Sequence, residues 1–195
     1  MTIRRAASGD LGALMALEAV CFEGPGQWSQ QSWQAELDGG DDRAVWVVES
    51  TRWAHDDGCQ AFGELVSAAC FRLVGPEAEL FRVMTAPPAR GLGLATLVLS
   101  AGLAWARQAG ATVMRLEVRH DNLSARSLYA DLGFTDAYLR TNYYAFGQDA
   151  VVMSRELLEG AAPSDMAVVE MPDEGTEPLP GLWADLHGEA EEDDR

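Results

Sequence analysis

Apolar residues recur along this chain in two rhythms, and the order of those rhythms predicts an architecture. Thr2–Ala6 reads as a short strand. From Ser8 onward Leu11, Leu14, Leu17 and Val20, with Ala13 and Ala16, fall at helical spacing behind Ser8 or Asp10 as a cap. GPGQWS then breaks the chain, and Ser29 caps a second short helix that runs to about Leu37. AVWVVES, residues 44–50, reads as a buried strand, and residues 51–60 as a polar loop. Ala61–Leu73 and Glu77–Met84 are strands separated by a Val74-Gly75-Pro76 turn. TAPPARGLG leads into a helix over Leu94–Gln108, with Leu94, Leu97, Val98, Ala101 and Trp105 as its apolar face and Gly110 closing it. A strand over Thr112–Val118 follows, then a helix over Leu123–Leu132 capped by Asp121 or Asn122 and ended by Gly133. Strands over Phe134–Thr141 and Asp149–Ser154 complete the pattern. An order β-α-α-β-β-β-α-β-α-β-β predicts an α/β protein, a mixed sheet with helices on both faces.

Composition divides the chain in two. Residues 160–195 hold 11 acids and one Arg, a net of −10 within a total of −17. Proline, glycine and acids dominate there, so residues 1–158 are expected to be one domain and 159–195 an acidic, disordered tail. So acidic a surface argues against direct nucleic-acid binding, which needs cations against phosphates, and favours a basic partner. All 14 basic residues are Arg. Cys21, Cys59 and Cys70 are odd in number, form no CxxC pair and have no metal-like spacing with His55, His120 or His187. Reduced thiols in a cytoplasmic protein, with no metal, are the expectation. The first ten residues lack an apolar leader segment, and no stretch approaches the ~18 apolar residues of a membrane span.

Three places carry candidate chemistry. Gly91 and Gly93 lie after a strand and at the opening of a helix, where bare backbone N–H groups and the helix dipole suit a phosphate. A dinucleotide-binding GxGxxG would need glycine at position 96, where this chain has Thr96. The second place is Glu117, a carboxylate at the end of an otherwise apolar strand. The third is Tyr129, twelve residues on and just before Gly133-Phe134. A half-buried carboxylate can act as a base, and a phenol as an acid. Each also has a plainer reading. Glu117 pairs with Arg115 or Arg119 at a solvated strand end, and Tyr129 is an amphipathic core residue.

These places follow one another in a recognisable layout. Arg90-Gly91-Leu92-Gly93-Leu94-Ala95 resembles the pyrophosphate-binding loop of GNAT-superfamily acyltransferases. Asn122, Ala125, Leu128-Tyr129 and Gly133-Phe134 resemble that superfamily's second signature. LEVR (116–119), LYADLGF and RTNYYAFGQDAVVM (140–153) are similar to the RimI-type ribosomal-protein-alanine N-acetyltransferases, over about residues 3–155. Pro88 stands where that family usually has Gln or Arg, Gln148 where it has Glu, and EGPGQWS is longer than its F-x-W-S turn.

The resemblance implies the GNAT fold and acetyl-CoA as co-substrate without a metal. It implies Glu117 as base and Tyr129 as acid. Main-chain groups of Phe81, Arg82 and Val83 would hold the pantetheine arm, Ala89, Arg90, Gly91, Leu92, Gly93 and Leu94 the pyrophosphate, and Asn122 would contact coenzyme A. Tyr143 and Tyr144 would shape the acceptor groove with Trp28 on its opposite wall; plain aromatic packing is the alternative for these three. The implied acceptor is a protein N-terminus, the N-terminal alanine of a basic small-subunit ribosomal protein. Two other readings share the fold: transfer to lysine or a small amine, and a non-catalytic coenzyme A-binding or scaffolding module. Intact Glu117 and Tyr129 disfavour the last.

Overall fold

A computed structural model describes residues 1–22, 24–50, 53–54, 60–61, 64–145 and 147–157. The expected tail beyond Leu157 and most of the 51–60 loop lie outside the described residues. The strands are β1 (Thr2–Arg5), β2 (Arg43–Ser50), β3 (Trp53–Ala54), β4 (Gln60–Ala61), β5 (Glu64–Val74), β6 (Glu77–Thr85), β7 (Val113–Arg119), β8 (Thr135–Ala145) and β9 (Gln148–Glu156). The helices are α1 (Leu11–Cys21), α2 (Gln30–Leu37), α3 (Leu94–Gln108) and α4 (Leu123–Asp131). Seven strands form one sheet in the order β1-β2-β5-β6-β7-β9-β8, and β3 pairs with β4 apart from it. Every neighbouring pair in the large sheet is antiparallel except β6 and β7. A parallel pair needs a crossover, and α3 is that crossover. The expected mixed sheet with helices on both faces is what forms.

Helix caps follow local chemistry. The Ser29 hydroxyl accepts from Ser32 N at 3.1 Å, and Asn122 Oδ1 accepts from Ala125 N at 3.2 Å. Asp10 stands at the N-terminus of α1, but its carboxylate caps nothing in that helix. It accepts from both terminal Arg4 nitrogens, at 2.7 and 2.8 Å, and from Ala7 N instead.

The core has two parts, one on each side of the sheet. On one side α3 packs on β5, β2 and β6, with Leu94, Val98, Leu99, Gly102, Leu103 and Ala106 inward. This corrects the face read from periodicity, since Leu97 is exposed and Trp105 only flanks the core. Gly102 hid the true stripe: a Cβ there would sit 2.1 Å from the Phe71 ring, so only glycine lets helix and strand approach so closely. On the other side α1 packs on β5 and β6 and α2 on β2. Val20, counted toward the inner face of α1, is exposed, and Glu18 is buried in its place because it finds partners inside.

One irregularity positions the site. β6 and β7 stay in parallel register from Glu77–Val113 to Leu80–Leu116 and no further. There the β5–β6 register also slips, Cys70 facing Arg82 and Phe71 facing Leu80, which leaves Phe81 as a bulge. A bulge adds a residue to one strand and increases its twist, so β6 swings away from β7. Beyond Leu80, β6 continues with β5 and β7 continues with β9, and the two diverge.

Candidate active site

The divergence opens main-chain groups of residues 81–85 on one strand and 117–119 on the other. Side chains alternate along β7. Met114, Leu116 and Val118 enter the core beside α3, while Arg115, Glu117 and Arg119 lie on the opposite face. α1 and α2 roof that face over β2, β5 and β6, and the Glu117 side chain stays 22% exposed.

Glu117 has a partner that lies 23 residues along the chain. Arg140 Nη1 is 2.6 Å from Glu117 Oε1. Both cations considered from the sequence are engaged elsewhere: Arg115 with Glu77 at 2.9 Å, and Arg119 with Asp121 at 2.6 Å. The Arg140 guanidinium also lies 5.2 Å from the Tyr143 ring and 5.7 Å from the Tyr138 ring. Tyr143 and Tyr144 meet edge to face at 5.2 Å. Burial, and then a hydrogen bond toward Glu117, push the Tyr143 hydroxyl well above tyrosine's ordinary range. Burial, and then the Glu117 charge, push Tyr144 up to about 12.

A distortion of the β8–β9 hairpin presents these phenols. Arg140 pairs with Ala150 and Ala145 with Gln148, so residues 141–144 face a single residue, Asp149. Asn142 takes a left-handed φ of 56°, its N–H donates to Asp149 Oδ1 at 2.9 Å, and its Oδ1 accepts from Gly147 N at 2.7 Å. Sequence reasoning missed Arg140, Asn142 and Asp149 as site-builders. The signal was an asparagine, which tolerates φ > 0, directly before the tyrosine pair.

Tyr129 reaches the region from the α3 side of the sheet. It is buried, edge-on to Phe134 at 6.1 Å, and burial raises its hydroxyl far above the ordinary value, with Tyr144 adding to the rise. Burial thus favours the protonated form of this phenol. The charges of Glu117 and of Tyr144 act respectively on Tyr144 and on Tyr129, each as a smaller cause than burial.

Past the end of β6, Pro87–Ala89 make a tight turn and Arg90 Nε donates to Thr85 O at 3.2 Å. Gly91 and Gly93 have φ of 78° and 74°, and a Cβ on either would meet nothing within 4 Å. The dihedral, rather than crowding, calls for glycine there. Gly93 is the N-cap of α3 with no side-chain cap, so the first-turn N–H groups and the dipole face outward beside exposed Leu92. Ala89 and Leu94 are buried beneath this turn, and the carbonyl oxygen of Asn122 is used in capping α4. Phe81 lies under the Arg72 guanidinium at 4.2 Å, and Val83 flanks the core beneath α3. Trp28 packs on Trp33 with ring centroids 4.9 Å apart, in the segment joining α1 to α2. Among the described residues no group of His, Cys, Asp and Glu is placed to hold a metal ion, and no helix is long and apolar enough to cross a membrane.

The arrangement has counterparts in known proteins. The model of the acetyltransferase (GNAT) family matches residues 12–134. The ribosomal protein bS18-alanine N-acetyltransferase of Escherichia coli is 33% identical over 95 residues, which are 47% of this chain and 64% of that enzyme, less than two thirds of its length. The crystal structure of the ribosomal-protein-S18-alanine N-acetyltransferase from Escherichia coli superposes with a TM-score of 0.65 at 25% identity, covering 80% of this chain and 93% of that one. The N-alpha-acetyltransferase RimI of Mycobacterium tuberculosis is 30% identical over 161 residues, 80% of this chain and 92% of that protein. A putative acetyltransferase from Salmonella typhimurium, solved with acetyl-CoA, shares the fold with a TM-score of 0.66 at 24% identity, over 84% of this chain and 98% of that one.

Proposed function

We propose, from the premise that the chain belongs to the acetyltransferase (GNAT) family, that it moves an acetyl group from acetyl-CoA to the α-amino group of a protein. The acceptor in this reading is the N-terminal alanine of a small-subunit ribosomal protein in the cytoplasm. One observation carries the chemistry: β6 and β7 part at Leu80 and Leu116, with a partly exposed carboxylate on one face and a buried phenol on the other.

An α-amino group titrates near pH ~7.7–8.0 and must lose its proton before it can attack. Glu117 takes that proton, directly or through one water. The amine nitrogen then bonds to the thioester carbonyl carbon, and negative charge on the oxygen meets a main-chain N–H of the diverging β6 segment. As the tetrahedral intermediate collapses, the carbon–sulfur bond breaks and Tyr129 donates its hydroxyl proton to the departing thiolate. The second proton of the newly bonded nitrogen passes through water to restore the tyrosine hydroxyl. The Gly91–Leu94 turn holds the pyrophosphate at the N-terminus of α3. Similarity to the Escherichia coli and Mycobacterium tuberculosis enzymes supports the N-terminal acceptor, and a net charge of −17 suits a basic one.

Thiol release from acetyl-CoA, measured against a panel of amines, tests this. Peptides that begin with Ala should exceed free lysine and polyamines in kcat/KM. A preference for a free small amine would remove the N-terminal acceptor and leave the family assignment standing.

A further inference from the structure

The bulge at Phe81 also decides where Arg82 points. With the extra residue, Arg82 lies opposite Cys70 and joins Phe81 on the α1 side of the sheet. There Glu18 meets it: Arg82 Nη2 donates to Glu18 Oε1, and Arg82 Nε approaches Glu18 Oε2 at 3.3 Å. The same Nη2 donates to Gly26 O at 2.6 Å. Glu18 in turn accepts from Trp28 N at 2.9 Å and from Trp33 Nε1 at 3.3 Å. The guanidinium is 3.7 Å from the centroid of the Phe22 ring and 5.3 Å from that of Trp28. One planar cation thus ties β6, α1 and the turn from Gly24 to Trp28 together at the height of the divergence.

A buried ion pair of this kind is not needed for stability, since well-packed apolar residues of similar volume are as stabilising or more so. A guanidinium fork does supply direction, because it bonds acceptors on two elements at fixed angles. We propose that Arg82 is a positioning residue for the acceptor. Its side chain, held by Glu18, sets the Gly24–Trp28 turn as one wall of the groove that receives the amine. The inference rests on the acceptor groove proposed above.

The test is made on the full chain with three variants: Arg82→Met, the double variant Glu18→Gln with Arg82→Met, and Arg82→Lys. Arg82→Met strands the Glu18 carboxylate and should lower Tm. The double variant removes both charges, keeps an oxygen for Trp28 N, and should recover most of that Tm. KM for an Ala-initiated peptide should nevertheless stay about tenfold above wild type, while KM for acetyl-CoA moves by less than about threefold. A double variant that recovers both Tm and peptide KM would show the pair to be purely structural. A matching rise in both KM values would place the Arg82 side chain at the cofactor instead. If the double variant recovers no Tm, Arg82→Lys decides, since it keeps the charge but loses the fork. Raised peptide KM at near wild-type Tm supports the proposal, and unchanged KM overturns it. Should the wild type acetylate a different amine and no peptide, the N-terminal reading fails and the same split, read with that amine, judges Arg82. A wild type that acetylates no amine overturns both.

Discussion

Among the described residues, four of the carboxylate–guanidinium pairs on one face of the sheet divide sharply by what covers them. Under α1 and α2, Glu18–Arg82 and Glu36–Arg72 have carboxylates only 1% exposed. Toward β7, β9 and β8, Glu117–Arg140 and Glu77–Arg115 have carboxylates 22% and 35% exposed. The chemistry of the four pairs is identical, and burial assigns their use. A buried pair cannot exchange a partner, because the stranded charge would lack solvent, so it serves to lock helices to strands. An open pair contributes only about 0–1 kcal/mol and water fills in when a partner leaves. In the proposed reaction, Glu117 turns from Arg140 toward the arriving ammonium group at little cost.

The sharpest test of that contrast is Glu117→Gln, expected to lower kcat by roughly 10²–10⁴-fold and to change stability by less than about 1 kcal/mol. Activity should partly return at alkaline pH, where the amine loses its proton unaided; kcat and urea unfolding measured side by side give both numbers. Tyr129→Phe should also slow kcat, without that alkaline recovery.

Glu36→Ala should invert the pattern. It removes the buried acceptor shared by Arg72, by Arg43 at 3.4 Å and by the Cys70 thiol, so about 1–3 kcal/mol of stability should go. Activity per folded molecule should stay near wild type. Lost activity at unchanged stability would erase the distinction between covered and open halves.

Gly102→Ala probes the covered half from its other side. A methyl group 2.1 Å from the Phe71 ring forces α3 off β5, for about 1–3 kcal/mol, read as a lower denaturant midpoint at unchanged slope.

The smallest effect should appear only in alkali. Tyr129, Tyr143 and Tyr144 all have hydroxyls raised above the ordinary 10.0 by burial. The folded state therefore binds protons that the unfolded state has released once pH passes that value. Stability from these phenols is complete below pH 10.0 and falls as pH climbs toward the folded values. Replacing each with Phe should flatten the alkaline part of a Tm-against-pH curve, and most of all at Tyr129, which is the most deeply buried.

Local signals made much of this molecule legible in the sequence. Helix periodicity, Ser29 and Asn122 as caps, Gly110 and Gly133 as stops, and Gly91 and Gly93 before α3 act over a few residues, so one stretch of chain reveals them. Strand β7 with its single carboxylate was visible for the same reason, and the spaced motifs around it pointed to the family. What tertiary structure alone decided are relations between distant segments. Arg140 reaches Glu117 only because β9 lies between β7 and β8. Glu18 is buried on a helix whose pattern reads as apolar, because Arg82, 64 residues on, compensates its charge there. The inward face of α3 was set by a ring on β5 that required a glycine opposite it. The parting of β6 from β7 has no mark in either strand's own pattern: it arises from a slip in register against β5, and register belongs to pairs of strands. Short-range propensity is carried by each residue's own backbone and side chain, whereas charge compensation, packing and register exist only once two remote segments meet.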